Sequence, residues 1–328
     1  MKKWILTILI ALLLLAGCGQ SEQTSETEPQ PELLKIRLPM GYIPSIQYAP
    51  FYVAADKNYF KEAGIDIEFD YKPETDGVAL VGAGELPFAI VSGEQVLLAR
   101  AQELPVVNVM GWWKDYPVSI ISLKDRGINS PEDLKGKRIG LPGPYGASYV
   151  GLRAFLNAVG LSESDVTLDS IGFNQVEALV SGQEDAVVVY AHNEPVQLRS
   201  RGYELTEFLV RDYATLASNG IITSEKMIAE NPDLVGRFVR AVLRGLKDVI
   251  ADPNEAYEIS KIYVDGLAQQ DQAVQMDILN TSIALWQSNP LGFSRPEAWE
   301  NMMQVLLDME LLSAPLDLNK AFKNNFVQ

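Results

Sequence analysis

Residues Gly41–Phe60, GYIPSIQYAPFYVAADKNYF, decide how the chain is read. They follow Leu34–Leu38, where apolar and charged residues alternate as in a half-buried strand. Gly41, Pro44 and Ser45 are turn chemistry, and Pro50, with a fixed φ and no N–H, suits the first turn of a helix. That helix is predicted over Tyr48–Lys57, with Asn58 taking the left-handed conformation that closes it. The unit is strand, loop and helix N-terminus, and the loop carries Tyr42, Gln47 and Tyr48. In open α/β sheets, ligands bind at the carboxyl ends of strands, facing such helix N-termini.

The same rhythm continues outward. Gly64–Asp70 alternates as a second strand, Asp76–Gly82 is a short helix, and Leu86–Val91 is an apolar run typical of a buried parallel strand. Ser92 is placed to cap the next helix, with Gln95 closing a capping box, and Val106–Met110 is a further buried strand. This order predicts a parallel sheet with helices on both faces. A second set follows: strand Val118–Ser122, a short helix capped by Ser130, a strand entering Gly140, helix Ser148–Val159, helix Gln175–Ser181 opened by Asn174 with Glu177, and strand Asp185–Tyr190. From Tyr213 to Thr223 the chain reads as extended, and four helices complete it: Asp233–Ile250, Asn254–Val264, Ala273–Gln287 and Pro296–Met309. The expectation is two doubly wound α/β lobes, residues 33–113 plus 217–328 and residues 114–216. Crossings near 112–118 and 213–220 would form a two-strand hinge over a cleft.

Length and charge narrow the function. A chain of 328 residues with 47% apolar content fills two cores of ordinary size. The formal charge is −16, and loss of Lys2 and Lys3 with a leader segment makes the remainder more acidic still. Such a chain repels nucleic acid, so nucleic-acid binding is excluded as a role. Residues 1–17 pair those lysines with the apolar run Trp4–Leu15, a secretory signal too short for a committed span. Leu15-Ala16-Gly17-Cys18 ends it, similar to a bacterial lipobox in which Cys18, the only cysteine, is lipidated. Gly19–Glu32 is polar and acidic, a disordered tether with a reach of roughly 20 Å. The picture is a monomeric body on a short leash at the outer face of a membrane.

Catalytic patterns are weak. His192 is the single histidine and has no nucleophile or metal-ligand context, and the glycine-rich loop Gly140–Gly146 lacks the Gly-Lys-Ser/Thr end of a phosphate loop. No cofactor or metal is expected. The aromatic residues are more informative. Tyr42, Tyr48, Trp112, Trp113, Tyr145, Tyr149 and Tyr190 all fall at or just after predicted strand ends, as in a cleft that sandwiches a flat ring. Gln47, Ser92, Glu94, Ser148, Asn174, Asn193 and Glu194 are the candidates for hydrogen bonds around the ring edge. Ser92 and Asn174 read equally well as helix caps. A small anion needs Arg, Lys or several helix N-termini, and the strand-end loops hold Lys114 and little else that is basic. A neutral, flat heterocycle fits better.

The run GYIP-x-x-QYAPFYVA-x-DKNYFKEAGI resembles the opening of the NMT1/THI5-like solute-binding proteins of ABC importers, with Asn58 where most members have glycine. INSPEDLKGKRIGLPG is similar to the start of the second lobe in type II periplasmic binding proteins. The resemblance implies that fold, a small-molecule ligand, and permease subunits as partners. Members bind riboflavin, a thiamine pyrimidine precursor, aliphatic sulfonates or nitrate. ETDGVALVGAGELPFAIVSGEQVLLARA and LPGPYGASYVGLRAF look most similar to the riboflavin-binding branch, with the thiamine-precursor branch next and the anion binders after it. Fungal members are pyrimidine-synthase enzymes with a cysteine-rich motif. This chain has only Cys18, so the resemblance does not extend to catalysis.

Overall fold

A computed structural model describes residues 32–328; Cys18, the signal and the tether lie outside the described residues. Among the described residues, ten strands form three sheets. β1 (Leu34–Gly41) pairs in parallel with β2 (Ile65–Pro73), Leu34 opposite Ile65. Beside them, β3 (Ala89–Val91) and β4 (Val106–Gly111) flank a later strand. The second lobe contributes β5 (Val118–Leu123), β6 (Arg138–Leu141), β7 (Thr167–Ser170), β8 (Ala186–Tyr190) and β9 (Leu205–Leu209), in the order β7-β6-β8-β5-β9. β10 (Gly220–Ser224) returns to lie between β3 and β4, giving the order β3-β10-β4.

The alternation of apolar runs and capped helices thus gives the expected α/β architecture, but the sheets are mixed. β10 is antiparallel to both β3 and β4, and β5 is antiparallel to β8 and β9. Both reversals belong to strands that adjoin a crossing between lobes. A strand entering from the other lobe does not arrive through a right-handed βαβ connection, so nothing forces it parallel. Residues 112–117 connect β4 to β5, and residues 213–219 lead back to β10. They are tied together where the Asn219 carbonyl accepts the Trp112 N–H at 2.9 Å and the Trp113 N–H at 3.2 Å.

The opening helix runs Ala49–Asp56, behind a 3₁₀ turn at Ile46–Tyr48, with Pro50 in its first turn. Asn58 has φ 63°, the left-handed conformation expected of it. Against this helix lies Pro232–Ala251, whose Val235, Phe238, Val239, Val242, Leu246 and Val249 recur at helical spacing and are buried. The two helices approach at Gly245, where a Cβ atom would sit 2.1 Å from the Pro50 carbonyl oxygen. Only glycine fits there. A second apolar cluster spans both lobes, joining Val91 and Leu97 to Val118, Ile139 and Phe155 through Trp299 and Met302 of helix Pro296–Asp308. Among the described residues, no helix is long and apolar enough to cross a membrane.

Candidate functional site

The carboxyl ends of β1, β4, β6 and β8 converge on one cavity of about 300 Å³ between the lobes. Its size stands at the lower end of the roughly 300–1,000 Å³ usual for small-molecule sites. The deep wall is aromatic. Tyr48 stacks on Trp112 with centroids 5.3 Å apart, and Trp112 packs beside Trp113 at 5.1 Å. All three are 2–3% exposed. The Tyr48 hydroxyl donates to the Met40 carbonyl at 2.7 Å, which pins the loop after β1 to its own strand. Contacts at the cavity join residues of the two lobes. Tyr42 meets Phe173 edge to face at 5.1 Å, and Gln47 Oε1 lies 3.1 Å from His192 Nε2. Tyr145 and Phe173 stand exposed at the rim, 64% and 58% accessible, with Tyr145 opening helix Gly146–Ala158.

The polar side of the cavity is carboxyl-rich. Glu194 opens helix Glu194–Ser200, where its two oxygens accept the Tyr190 N–H at 3.1 Å and Asn193 Nδ2 at 3.0 Å. Burial nonetheless holds its carboxyl above the usual range. Glu74, at the start of helix Glu74–Gly82, accepts Asn219 Nδ2 at 3.2 Å. Burial lifts it too, against the hydrogen bonds from Ser92. Burial pushes the His192 imidazole down to about 3, so the ring is neutral, and its Nδ1 has no partner. Lys72 is the basic side chain among the described lining residues, and it pairs with Asp70 at 3.6 Å. Among the described residues no cluster of His, Cys, Asp and Glu could hold a metal ion.

The structure brings Tyr42, Gln47, Tyr48, Trp112, Trp113, Tyr145, Ser148, Tyr190, Asn193 and Glu194 onto the cavity wall. Four other expected residues lie elsewhere. Tyr149, one helical position past Ser148 and so turned about 100° away, bonds Glu163 at 2.8 Å and Arg153 at 2.8 Å. Asn174 is exposed, makes no cap, and donates to the Ile171 carbonyl at 3.1 Å, while its neighbour Gln175 faces the cavity. Ser92 holds the N-cap position without a capping bond, because its hydroxyl is engaged by the carboxyl groups of Glu74 and Glu94. With Glu94 it is fully buried, off the lining and against Glu74. The expected capping box with Gln95 is absent, and Gln95 lines the cavity instead. Sequence reasoning missed Glu74, Tyr71, Phe173, Gln175 and Asn219 and left His192 open.

Two α/β lobes around an aromatic cavity are the architecture of the type II periplasmic binding fold, the fold of solute-binding proteins. The family described as NMT1/THI5 like matches residues 45–256, and the chain belongs to it. It is 40% identical, over all of its length and 98% of the relative's, to the riboflavin-binding protein RibY of Chloroflexus aurantiacus. To the formylaminopyrimidine-binding protein of Halalkalibacterium halodurans it is 28% identical, over 98% of both chains. The solved alkanesulfonate-binding protein SsuA from Xanthomonas axonopodis pv. citri, bound to MOPS, superposes with a TM-score of 0.69 at 15% identity, over 90% of this chain and 99% of that one. That likeness speaks to fold alone. Both full-length relatives are binding proteins, and the chain is one too rather than an enzyme.

Proposed function

We propose that the chain captures riboflavin for an ABC importer at the outer face of the membrane that holds it through lipidated Cys18. The observation that carries this reading is full-length 40% identity to a riboflavin-binding protein, combined with a cavity walled by Tyr48, Trp112 and Trp113 and rimmed by Tyr42, Tyr145 and Phe173. An isoalloxazine is flat and uncharged, wide enough to meet several of these rings while its pyrimidine edge takes hydrogen bonds. A micromolar to nanomolar constant needs about −8 to −12 kcal/mol. Two aromatic faces supply about 1–3 kcal/mol of that beyond burial of the ring. On this reading residues 33–113 plus 217–328 and residues 114–216 are lobes hinged at the two crossings, and they close over the ligand. Permease subunits receive it.

A thiamine pyrimidine precursor is the second reading, favoured by the 28% relative and by carboxyls able to accept an exocyclic amino group. It meets fewer of the rings. A sulfonate or nitrate finds Lys72 already paired and two carboxyls facing it. Titration of the purified protein with riboflavin, read by flavin and tryptophan fluorescence, tests the proposal. Saturable quenching at micromolar protein supports it. Silence with riboflavin, with calorimetric heat from formylaminopyrimidine, moves the ligand to the second reading.

A further inference from the structure

Ser92 contacts two carboxyl groups through one hydroxyl. Its Oγ lies 2.5 Å from Glu74 Oε2 and hydrogen-bonds Glu94 Oε1 as well. A serine hydroxyl carries a single hydrogen, so two such contacts need a second hydrogen from one of the acids. Glu74 is not its source. Its Oε2 already accepts the Ser92 N–H at 3.0 Å, and its Oε1 accepts Asn219 Nδ2 at 3.2 Å. Glu94 is less well supplied with donors. Its Oε2 is buried and partnerless, tolerable in a neutral acid and costly in a carboxylate. We propose that Glu94, Ser92 and Glu74 form a directed hydrogen-bond wire with one carboxyl proton, held on Glu94, so that Glu74 meets the cavity as a carboxylate and selects an uncharged ligand through a ring or amide N–H.

Two further observations support the wire. Asn219 lines the cavity, is 6% exposed, and leaves its Oδ1 unpartnered beside Glu74, so two acceptors there await a donor. Burial, and then the Glu74 charge, push the Glu94 carboxyl up to about 8. The titratable groups facing the pair are Tyr48, Tyr116 and Tyr190, all held above their ordinary range by burial and therefore neutral donors or bystanders. Lys72, the basic group on the lining, pairs with Asp70. The proton flow is balanced: Glu94 donates to Ser92 Oγ, Ser92 donates to Glu74, and no net charge moves. The wire deepens the riboflavin reading, on which its ligand half rests. Above pH 8 a second anion beside Glu74 breaks the wire and spreads the two carboxyls.

Infrared spectroscopy of the ligand-free protein tests the wire without any ligand. At pH 6.5 the wild type and Glu74→Gln should both show the C=O stretch of a buried protonated carboxyl, and Glu94→Gln should lack it. The wild-type band should fade as pH rises through about 8. A missing wild-type band, or one lost in Glu74→Gln and kept in Glu94→Gln, overturns the proposal. Riboflavin titration tests the selection. Glu74→Gln should bind about tenfold more weakly at neutral pH, the loss of one charge-assisted hydrogen bond. Wild-type affinity should fall between pH 7 and 9, and Glu94→Gln should not show that fall. Identical pH profiles for the two proteins refute the wire. A wild type that binds no riboflavin, with the infrared pattern intact, removes the ligand reading and keeps the wire.

Discussion

Asn219 donates through Nδ2 to Glu74 Oε1 at 3.2 Å, although 145 positions separate them. The same residue's backbone carbonyl takes the N–H groups of Trp112 and Trp113, so a single residue in one crossing reaches both the other crossing, through its main chain, and the cavity, through its side chain. The two roles separate by mutation. Asn219→Ala keeps the carbonyl bonds and removes only the donor to a half-buried carboxyl, which costs about 1 kcal/mol of folding stability. Urea denaturation should show that loss, and riboflavin affinity should fall with it. An unchanged midpoint would mean that Glu74 needs no support from the crossing.

Trp112 and Tyr145 both belong to the aromatic wall but differ in what holds them. Trp112 is 3% exposed, stacked on Tyr48, and set edge to face against Phe51. Trp112→Ala should therefore cost about 3–5 kcal/mol of stability as well as affinity. Tyr145 is 64% exposed, so Tyr145→Ala should leave stability within about 0.5 kcal/mol and lower affinity alone. Thermal melts beside fluorescence titrations check the split.

Glu94 makes stability depend on pH. Its carboxyl titrates near 4.5 when unfolded and near 8 when folded, so between those values the folded state retains a proton that the unfolded state releases. Stability then falls as pH rises through that window, by up to about 1.4 kcal/mol per unit. Glu94→Gln removes this slope. Urea midpoints of the two proteins from pH 5 to 8 should diverge, with the variant gaining on the wild type as pH increases.

His192 acts in the opposite sense. Burial lowers its imidazole from 6.5 to about 3, so below 6.5 the unfolded chain binds a proton that the folded chain refuses. Its contribution to stability is complete above 6.5 and is lost as pH falls toward 3. Proton NMR of the one imidazole should show no shift change from pH 8 to 4. A transition near 6.5 would place the ring in water.

Cys18 lies outside the described residues, and its role is tested by location. Several acyl chains, at about 0.8 kcal/mol per buried CH₂, far exceed any attraction of an acidic body for a membrane. Cys18→Ser should move the protein from the membrane fraction to the medium or periplasm. Retention on the membrane would assign the attachment to something else.

The strand-end aromatics were legible because strand, turn and helix start are local signals, and a residue just past a strand end is placed by them. Tyr48, Trp112 and Tyr190 were found on that basis. Glu74 was not. In sequence it begins ETDG, the acidic first turn of an ordinary surface helix, and its hydrogen-bond partners are Ser92 and, far along the chain, Asn219. Asn174 and Tyr149 failed by one position each, since a helical step of about 100° decides which neighbour faces the cavity. The mixed sheets were missed for a related reason: apolar runs signal burial and carry no strand direction.

Gly245 touches no ligand, yet it sits where the long helix Pro232–Ala251 presses on the Pro50 carbonyl, two residues past Tyr48. Any side chain there would force the long helix away from helix Ala49–Asp56, which follows directly on Tyr48. The seat of the residue run that carries Tyr48 is thus set, in part, by the smallest residue of a helix nearly two hundred positions further along the chain.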